Sequence, residues 1–158
     1  MKFIKLFEDY SNDDYITLKH LSSEFYIVKD KYNNHRFFIY DDLESLLKEK
    51  ENDYKEKHIG EILFSNNWID KMVKKDKTKS NINSNSWYLD NIWVNNKYVG
   101  KKLGFIFLKK VLEILNIKEF YLQPTNSSLK RWLNLGGKET GYYYHGYDHC
   151  PILKLNNI

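Results

Sequence analysis

The sequence predicts an α+β domain that has a mixed sheet with helices on both faces. Short runs of apolar or alternating residues, typical of strands, recur along the 158 residues. Two longer stretches, 41–57 and 100–116, have apolar residues at helical spacing. The predicted order is strand, one or two helices, two or three strands, helix, strand, helix and strands, and the length fits a single domain over residues 1–158.

The first 25 residues predict a strand followed by a helix. "KFIKLF", residues 2–7, alternates apolar and charged residues, which is typical of a half-buried strand. Residues 11–25 have apolar positions near helical spacing, and Ser11 or Asn12 is suited to cap the helix.

The next stretch, "FYIVKDKYNNHRFFIY" (25–40), is compatible with two structures. One is a hairpin that turns at Asn33-Asn34, and the other is the end of a helix followed by a strand. Residues 41–57 then predict an amphipathic helix, with acidic residues at its start and lysines at its end.

The middle of the chain changes to strand periodicity. Residues 58–74 predict two strands around Ser65-Asn66-Asn67, and the polar stretch 74–86 predicts a mobile surface loop within the domain. "SWYLDNIWV" (86–94) is strongly apolar and predicts a central strand.

The C-terminal part alternates helices and strands. Residues 100–116 predict a helix and 118–124 a strand. A second helix over 125–137 is expected to be capped by Thr125 or Asn126 and to stop at Gly136-Gly137. The last stretch, 138–157, predicts a hairpin with Gly146 near its turn.

Composition and charge exclude several classes of function. The net charge is +4 and the lysines are spread among acids, so an anionic small molecule is a suitable ligand and a nucleic-acid partner is disfavoured. Cys150 is the only cysteine, which excludes an intramolecular disulfide and a cysteine-based zinc site. We expect no membrane segment, because no apolar run approaches about 20 residues. The early acidic residues do not fit a secretory signal, so we expect a cytoplasmic protein.

A turn rich in glycine and lysine separates the predicted central strand from the following helix. Gly100 and Gly104 allow backbone N–H groups to converge, and Lys101 and Lys102 add positive charge. Together with the helix dipole, such a turn suits an anion. Taken alone, the pattern favours an ordinary exposed helix start.

Two linked motifs in the C-terminal half resemble the GNAT superfamily of acyl-CoA-dependent N-acetyltransferases. "NIWVNNKYVGKKLG" resembles that family's strand and pyrophosphate loop, Arg/Gln-x-x-Gly-x-Gly/Ala, and "LQPTNSSLKRWLNLGGKETG" resembles its later strand, Asn and short helix. The resemblance covers about His58 to Leu155. The loop positions fall on Val99, Lys102 and Gly104, so the leading Arg/Gln and the middle Gly are absent.

The resemblance implies a mainly antiparallel sheet and an acetyl-CoA co-substrate. The backbone of Ile92, Trp93 and Val94 would pair with the pantetheine arm, held in a V-shaped opening between the Val94 and Tyr121 strands, and one amide there would polarise the thioester carbonyl. The residues implied for the pyrophosphate loop are Val99, Gly100, Lys101, Lys102, Leu103 and Gly104. Asn126 would hydrogen-bond the arm, unless it is simply a helix cap. Arg131 would reach the adenosine phosphates, unless it is ordinary helix surface.

Acetyl transfer also requires a base and an acid. Asp90 is the best-placed acidic residue to act as base, although a strand-edge carboxylate paired with a lysine fits it equally well. Glu61 is a weaker candidate. The family's proton-donating Tyr falls on Trp132 or Leu133, so Tyr143 and Tyr144 are the substitutes, unless this strand is pocket wall or core.

The sequence therefore predicts an N-acetyltransferase that moves an acetyl group from acetyl-CoA to a primary amine by direct attack. A non-catalytic acyl-CoA-binding or regulatory module is the alternative, and a nucleic-acid- or protein-binding domain ranks third. No metal site is expected, because His145 and His149 lie in a predicted hairpin. The acceptor, a small-molecule or peptide amine, and the oligomeric state, a homodimer included, stay open.

Overall fold

A computed structural model describes residues 15–49, 57–66, 73–74, 86–144, 147–156 and 158. Its strands and helices, in chain order, are β1 (Ile16–His20), β2 (Ser23–Lys29), β3 (Arg36–Tyr40), α1 (Leu43–Glu49), β4 (Gly60–Ser65), β5 (Val73–Lys74), β6 (Trp87–Val94), α2 (Leu103–Ile114), β7 (Glu119–Leu122), α3 (Leu129–Asn134), β8 (Lys138–Tyr144) and β9 (Tyr147–Asn156). None of the described helices is long and apolar enough to cross a membrane.

The chain divides into two compact units. The first unit is Met1–Leu63 with Asn91–Leu115, and the second is Phe64–Asp90 with Asn116–Ile158. Strands β4 and β6 each contribute residues to both units. The single domain over residues 1–158 stays a prediction.

In the first unit, β1 to β4 form antiparallel pairs in chain order. The helix predicted over 11–25 is wrong, because Ile16–His20 and Ser23–Lys29 are paired strands. Along β1 half-buried and exposed positions alternate, as in a strand. Cross-strand pairing decides between this period of two and the helical period of 3.6. The strand predicted over 2–7 and the cap at Ser11 or Asn12 lie outside the described residues.

The hairpin predicted at Asn33-Asn34 is confirmed, and the alternative of a helix end is wrong. The Arg36 N–H donates to the Asn33 carbonyl at 3.1 Å, and the Asp30 N–H donates to the Arg36 carbonyl at 2.8 Å. The Asn33 side chain accepts the His35 N–H at 2.9 Å, which stabilises the turn locally.

Helices cover both faces of the sheet within the first unit. On one face, Val28, Phe38 and Tyr40 pack with Leu46 of α1. On the other face, buried residues of β2, β3 and β4 are completely or almost completely shielded from solvent; they are Phe25, Ile27, Phe37, Ile39 and Ile62. A Cβ on Gly104 of α2 would lie 3.6 Å from the Val94 side chain. A Cβ on Gly60 would lie 3.0 Å from Val94 and 2.9 Å from Ile39 of this second face, so α2 lies on the same side of the sheet.

The helix predicted over 41–57 is confirmed for Leu43–Glu49, and residues 50–56 lie outside the described part of the chain. Its start is capped by Asp42, whose carboxylate accepts the Ser45 N–H at 3.1 Å. Hydrogen bonds from the Ser45 hydroxyl and N–H lower the pKa of Asp42.

In the second unit, β7 pairs in parallel with β6 and antiparallel with β9, and β8 lies between β9 and β5. The predicted α+β class with a mixed, mainly antiparallel sheet is therefore confirmed. The predicted C-terminal hairpin is confirmed as β8 and β9, while its turn at Gly146 and nearly all of the loop 74–86 lie outside the described residues.

The cap predicted for the second short helix is wrong in position. The helix α3 begins at Leu129, with Ser128 as its N-cap and without a side-chain cap. Thr125 instead closes a preceding turn, because its carbonyl accepts the Ser128 and Leu129 N–H groups, each at 3.0 Å. The predicted stop at Gly136-Gly137 is confirmed.

Candidate functional site

The strand-to-helix turn that the sequence singled out has a left-handed backbone at two positions. After β6, a short 3-10 segment (Asn96–Tyr98) leads to Gly100 at φ 83° and Lys102 at φ 60°, and α2 begins at Leu103. We call residues 95–102 the α2 turn. Lys102 occupies the position where the resemblance expects glycine, so the missing glycine is replaced by a residue that keeps the left-handed conformation at a cost of about 1 kcal/mol.

The start of α2 presents backbone donors without internal partners. The Tyr98, Val99 and Lys101 N–H groups donate to carbonyls inside the α2 turn. Among the residues that the structure describes, no hydrogen bond uses the N–H groups of the first helical turn, and the Ile106 N–H is the first to donate, to the Lys102 carbonyl at 3.1 Å. Lys102 provides no side-chain cap. Free donors at the positive end of a 12-residue helix suit an anion.

Within the first unit, Tyr98 anchors the α2 turn to β2 and to the residue that follows β3. Its hydroxyl donates to the Asp41 carboxylate at 2.5 Å, and its ring meets Phe25 edge-on with centroids 5.4 Å apart. Burial, followed by the Asp41 hydrogen bond and charge, raises the pKa of Tyr98 to about 12. The ammonium groups of Lys97 and Lys101 lie 5.5 and 5.9 Å from the same ring, so positive charge is held at the turn.

A second anchor comes from β1, because His20 Nε2 lies 2.5 Å from the Lys101 carbonyl oxygen. Sequence reasoning missed His20, since it lies 81 residues from its partner and within a stretch predicted as helix.

The end of β6 offers main-chain groups along one edge. The Asn95 N–H donates to the Ile59 carbonyl at 2.7 Å, and a Cβ on Gly60 would lie 2.7 Å from the Trp93 carbonyl oxygen. Because peptide groups alternate along a strand, the N–H and C=O of Ile92 and Val94 face the opposite edge. Gly60 was also missed from the sequence, although a glycine inside a strand pattern signals such a close backbone approach.

The register of β6 with β7 includes only Trp87 and Tyr88 among the described residues. Beyond these two residues no strand in the described part of the chain pairs with β6 on the edge that Ile92 and Val94 face. Main-chain donors and acceptors on such an edge can pair with the amides of an extended ligand. The opening predicted between the Val94 and Tyr121 strands stays a prediction.

Asp90 is exposed on β6, yet its surroundings are poorly solvating. Desolvation raises the pKa of Asp90, and a hydrogen bond with Ser65 opposes the rise. No lysine forms an ion pair with Asp90 among the described residues, and the alternative of a strand-edge carboxylate paired with a lysine stays a prediction. The weaker candidate Glu61 pairs with Arg36 at 3.2 Å.

The proposed acids do not lie beside Asp90. Tyr143 is exposed on β8, and β7 and β9 lie between β6 and β8 in the strand order. Three strand spacings amount to about 14 Å. Tyr142 is buried, and the side chain of Tyr144 is outside the described part. The structure therefore does not bring Tyr143 and Asp90 into one cluster.

Asn126 is exposed in the turn before α3, and its side-chain oxygen accepts a hydrogen bond from the Cys150 thiol at 2.9 Å. The Gln123 amide donates to the Cys150 carbonyl at 3.0 Å. The Asn126 NH₂ group makes no hydrogen bond within the described part of the chain, and it can donate to a ligand. Arg131 is exposed on α3, and no ion pair to it occurs in the described part of the chain.

The described residues contain no group of three or more potential metal ligands. The side chains of His145 and His149 fall outside those residues, so the expectation of no metal stays a prediction.

In comparisons with known proteins, the chain is similar only to solved structures. No family model matches the chain, and no curated protein matches it. The chain is similar to the Bacillus subtilis N-acetyltransferase YlbP in complex with coenzyme A, at 12% identity and a TM-score of 0.46 over 78% of this chain and 68% of that chain. It is similar to the NatC complex bound to Gag peptide and CoA, at 13% identity and 0.48 over 79% and 72%.

A third similar structure is a putative acetyltransferase from Staphylococcus aureus Mu50, at 12% identity and a TM-score of 0.43 over 78% of this chain and 72% of that chain. At such identities and scores the likeness concerns the arrangement of the backbone. The chemistry of the site rests on the residues described above.

Proposed function

We propose that this chain is an acyl-CoA-dependent N-acetyltransferase of the GNAT superfamily, which transfers an acetyl group from acetyl-CoA to a primary amine. The observation that carries the proposal is the α2 turn, where free N–H donors at the start of α2 follow a strand whose Ile92 and Val94 peptide groups face an edge without a described partner. The first feature suits a pyrophosphate and the second suits the amides of pantetheine.

Binding would use the main chain more than side chains. The pyrophosphate would accept hydrogen bonds from the first turn of α2, with Lys101 and Lys102 supplying charge. The pantetheine amides would pair with Ile92 and Val94, and one backbone N–H of β6 would polarise the thioester carbonyl. The NH₂ group of Asn126 would hydrogen-bond the arm.

In the chemical step, the neutral amine attacks the thioester carbon, the C–N bond forms, and the C–S bond breaks. Asp90 is the proposed base that takes the proton from the amine, directly or through a water. Its raised pKa supports this role, because a stronger base is better matched to proton transfer near neutral pH. The departing thiolate takes a proton from solvent or from a tyrosine, for which Tyr143 and Tyr144 stay candidates.

The test of binding is thermal unfolding with and without acetyl-CoA, with ATP and desulfo-CoA as control ligands. Acetyl-CoA at about 100 times its dissociation constant should stabilise the fold by roughly 2.7 kcal/mol. That stabilisation corresponds to a rise in Tm of several degrees for a chain of this size. No shift at millimolar acetyl-CoA would exclude the proposal.

The test of the base is Asp90→Asn, assayed by release of free CoA thiol with an amine that the wild type accepts. We expect kcat to fall by about 10²- to 10⁴-fold while the affinity for acetyl-CoA is retained. Glu44→Gln, which removes an exposed carboxylate of α1, is the matched control and should leave kcat unchanged. An unchanged kcat in Asp90→Asn would exclude Asp90 as the base.

One observation favours a second function, a non-catalytic acyl-CoA-binding or regulatory module. Tyr143 lies three strand positions from Asp90, so the structure does not bring this candidate acid and this candidate base together. Binding of acetyl-CoA without thiol release, across amines that include polyamines, aminoglycosides and peptides, would support this alternative. For either function we propose a cytoplasmic protein, and a homodimer is compatible with both.

A further inference from the structure

A long-range hydrogen bond joins the end of β1 to the α2 turn. His20 Nε2 lies 2.5 Å from the Lys101 carbonyl oxygen. A carbonyl oxygen only accepts hydrogen bonds, so Nε2 must carry a hydrogen and donate it. The donor is placed firmly, because His20 pairs with Ser23 across a tight β1–β2 turn in which Leu21 adopts φ 56°.

This bond fixes the orientation of the peptide group that joins Lys101 to Lys102. In a planar trans peptide the C=O and the following N–H point in opposite directions. With the Lys101 carbonyl held toward His20, the Lys102 N–H is held away from β1. Lys102 lies at φ 60°, a conformation that a non-glycine residue keeps only when its surroundings impose it.

We infer that His20 is a positioning residue for the anion site of the α2 turn. It holds the Lys101–Lys102 peptide in the left-handed arrangement before the ligand arrives, so that the Lys102 N–H joins the free donors of the first helical turn. A donor that is already oriented binds more tightly, because the ligand does not have to order it. The inference rests on the proposed function, since it assigns His20 to the pyrophosphate end of the same site.

The role predicts an effect on affinity and none on the chemical step. His20 has no reacting group within the proposed mechanism, so its loss should weaken the binding of CoA and leave kcat at saturating acetyl-CoA unchanged. The loss of one hydrogen bond that orients a donor corresponds to about 3- to 10-fold in affinity.

The experiment compares His20→Ala with His20→Gln, whose side-chain NH₂ replaces the ring N–H. Isothermal titration gives the Kd of CoA, and competition by inorganic pyrophosphate reports the anion end alone. Lys19→Ala is the matched control, because it removes a neighbouring exposed cation whose partner is Glu24 and not the α2 turn. The amide resonance of Lys102 in a ¹⁵N spectrum gives a readout in the absence of ligand.

We expect His20→Ala to weaken both CoA and pyrophosphate by about 3- to 10-fold and to shift the Lys102 amide resonance, with both effects reversed in His20→Gln. Lys19→Ala should change neither by more than about twofold. If His20→Ala does not fold, His20→Phe, which keeps a ring but lacks the donor, takes its place.

The inference is overturned if the wild type binds CoA and the folded variant without the donor binds CoA and pyrophosphate equally well. It is also overturned if the glutamine variant is as weak as the alanine variant. If the wild type itself does not bind CoA while the Lys102 resonance still responds to His20→Ala, the proposed function fails and the inferred orientation of the peptide stands.

Discussion

The left-handed turn after α3 and the left-handed turn before α2 differ in how their hydrogen-bond donors are used. After α3, Gly136 adopts φ 94°, its N–H donates to the Leu133 carbonyl at 3.0 Å, and the Gly137 N–H donates to the Trp132 carbonyl at 3.0 Å. Both donors are thereby used to close the helix end. Before α2, Gly100 and Lys102 adopt similar φ values, but the helical donors that follow are left open.

The two turns also differ in the space that surrounds their glycines. A Cβ on Gly137 would lie 2.8 Å from the Trp132 carbonyl oxygen, whereas a Cβ on Gly104 would meet nothing closer than 3.6 Å. The turn after α3 is therefore packed and closed upon itself. The α2 turn has room and unused donors, which are the properties of a binding site.

The largest expected effect comes from adding a methyl group in the turn after α3. Gly137→Ala should destabilise the fold by about 2 kcal/mol, since a backbone carbonyl would have to move to admit the methyl group. A drop in Tm of several degrees in differential scanning calorimetry would show it. Gly104→Ala is the matched control and should not destabilise the fold. Equal losses in the two variants would remove the distinction between the turns.

The second effect concerns Tyr98, which anchors the α2 turn. Tyr98→Phe removes the hydrogen bond to Asp41 and should cost about 1 kcal/mol at pH 7. Because the folded pKa of Tyr98 is raised from 10.0 to about 12, the folded state holds the phenol proton more tightly than the unfolded state. That stabilisation is complete below pH 10 and is lost as the pH rises from 10 through about 12.

The measurement is chemical denaturation of wild type and Tyr98→Phe between pH 8 and about pH 11.5. The difference in stability between them should shrink as the pH rises above 10. Tyr143→Phe, in the other unit and exposed, is the control, and its difference from wild type should stay small throughout. A Tyr98→Phe difference that is constant with pH would contradict the anchoring role.

The smallest effect concerns Lys102, the non-glycine residue of the α2 turn that has a left-handed backbone. Lys102→Gly should stabilise the fold by about 0.5 to 1 kcal/mol, because glycine adopts φ 60° without steric cost. The backbone N–H is retained, so affinity for CoA should fall by only a few-fold, from the loss of one charge. Lys101→Gly removes an equal charge at a position without positive φ and should not stabilise. Thermal unfolding and calorimetric titration of both variants give the comparison.

The sequence predicted the second half of the chain better than the first. Between Trp87 and Asn156, each predicted helix and strand is found, because strong apolar runs are separated by Gly and Pro stops. From Ile16 to Phe25 the sequence predicts a helix, where β1 and the start of β2 occur. Period-2 and helical spacings overlap there, and the pairing partners that decide between them lie elsewhere in the chain.

For the site, local features were predictable and long-range ones were not. The α2 turn could be located from Gly100, Lys101 and Gly104, since glycine and lysine between a strand and a helix carry their own signal. The contact of Asn126 with Cys150 and that of His20 with Lys101 join residues 24 and 81 positions apart, and no spacing rule connects such pairs. The separation of Tyr143 from Asp90 follows from strand order, which the sequence did not specify.

Gly60 of β4 has no side chain, and this absence determines which peptide groups of the neighbouring strand β6 face outward. Its missing Cβ leaves the space that the Trp93 carbonyl oxygen occupies, so Trp93 and Asn95 turn their peptide groups toward β4. The groups of Ile92 and Val94 are thereby turned outward. If a bulkier residue at position 60 displaced β6 by one step, the strand would present the other set of donors to the ligand and the same sequence would recognise a different register. Selectivity for the proposed ligand would then depend on β4, a strand that the ligand does not contact.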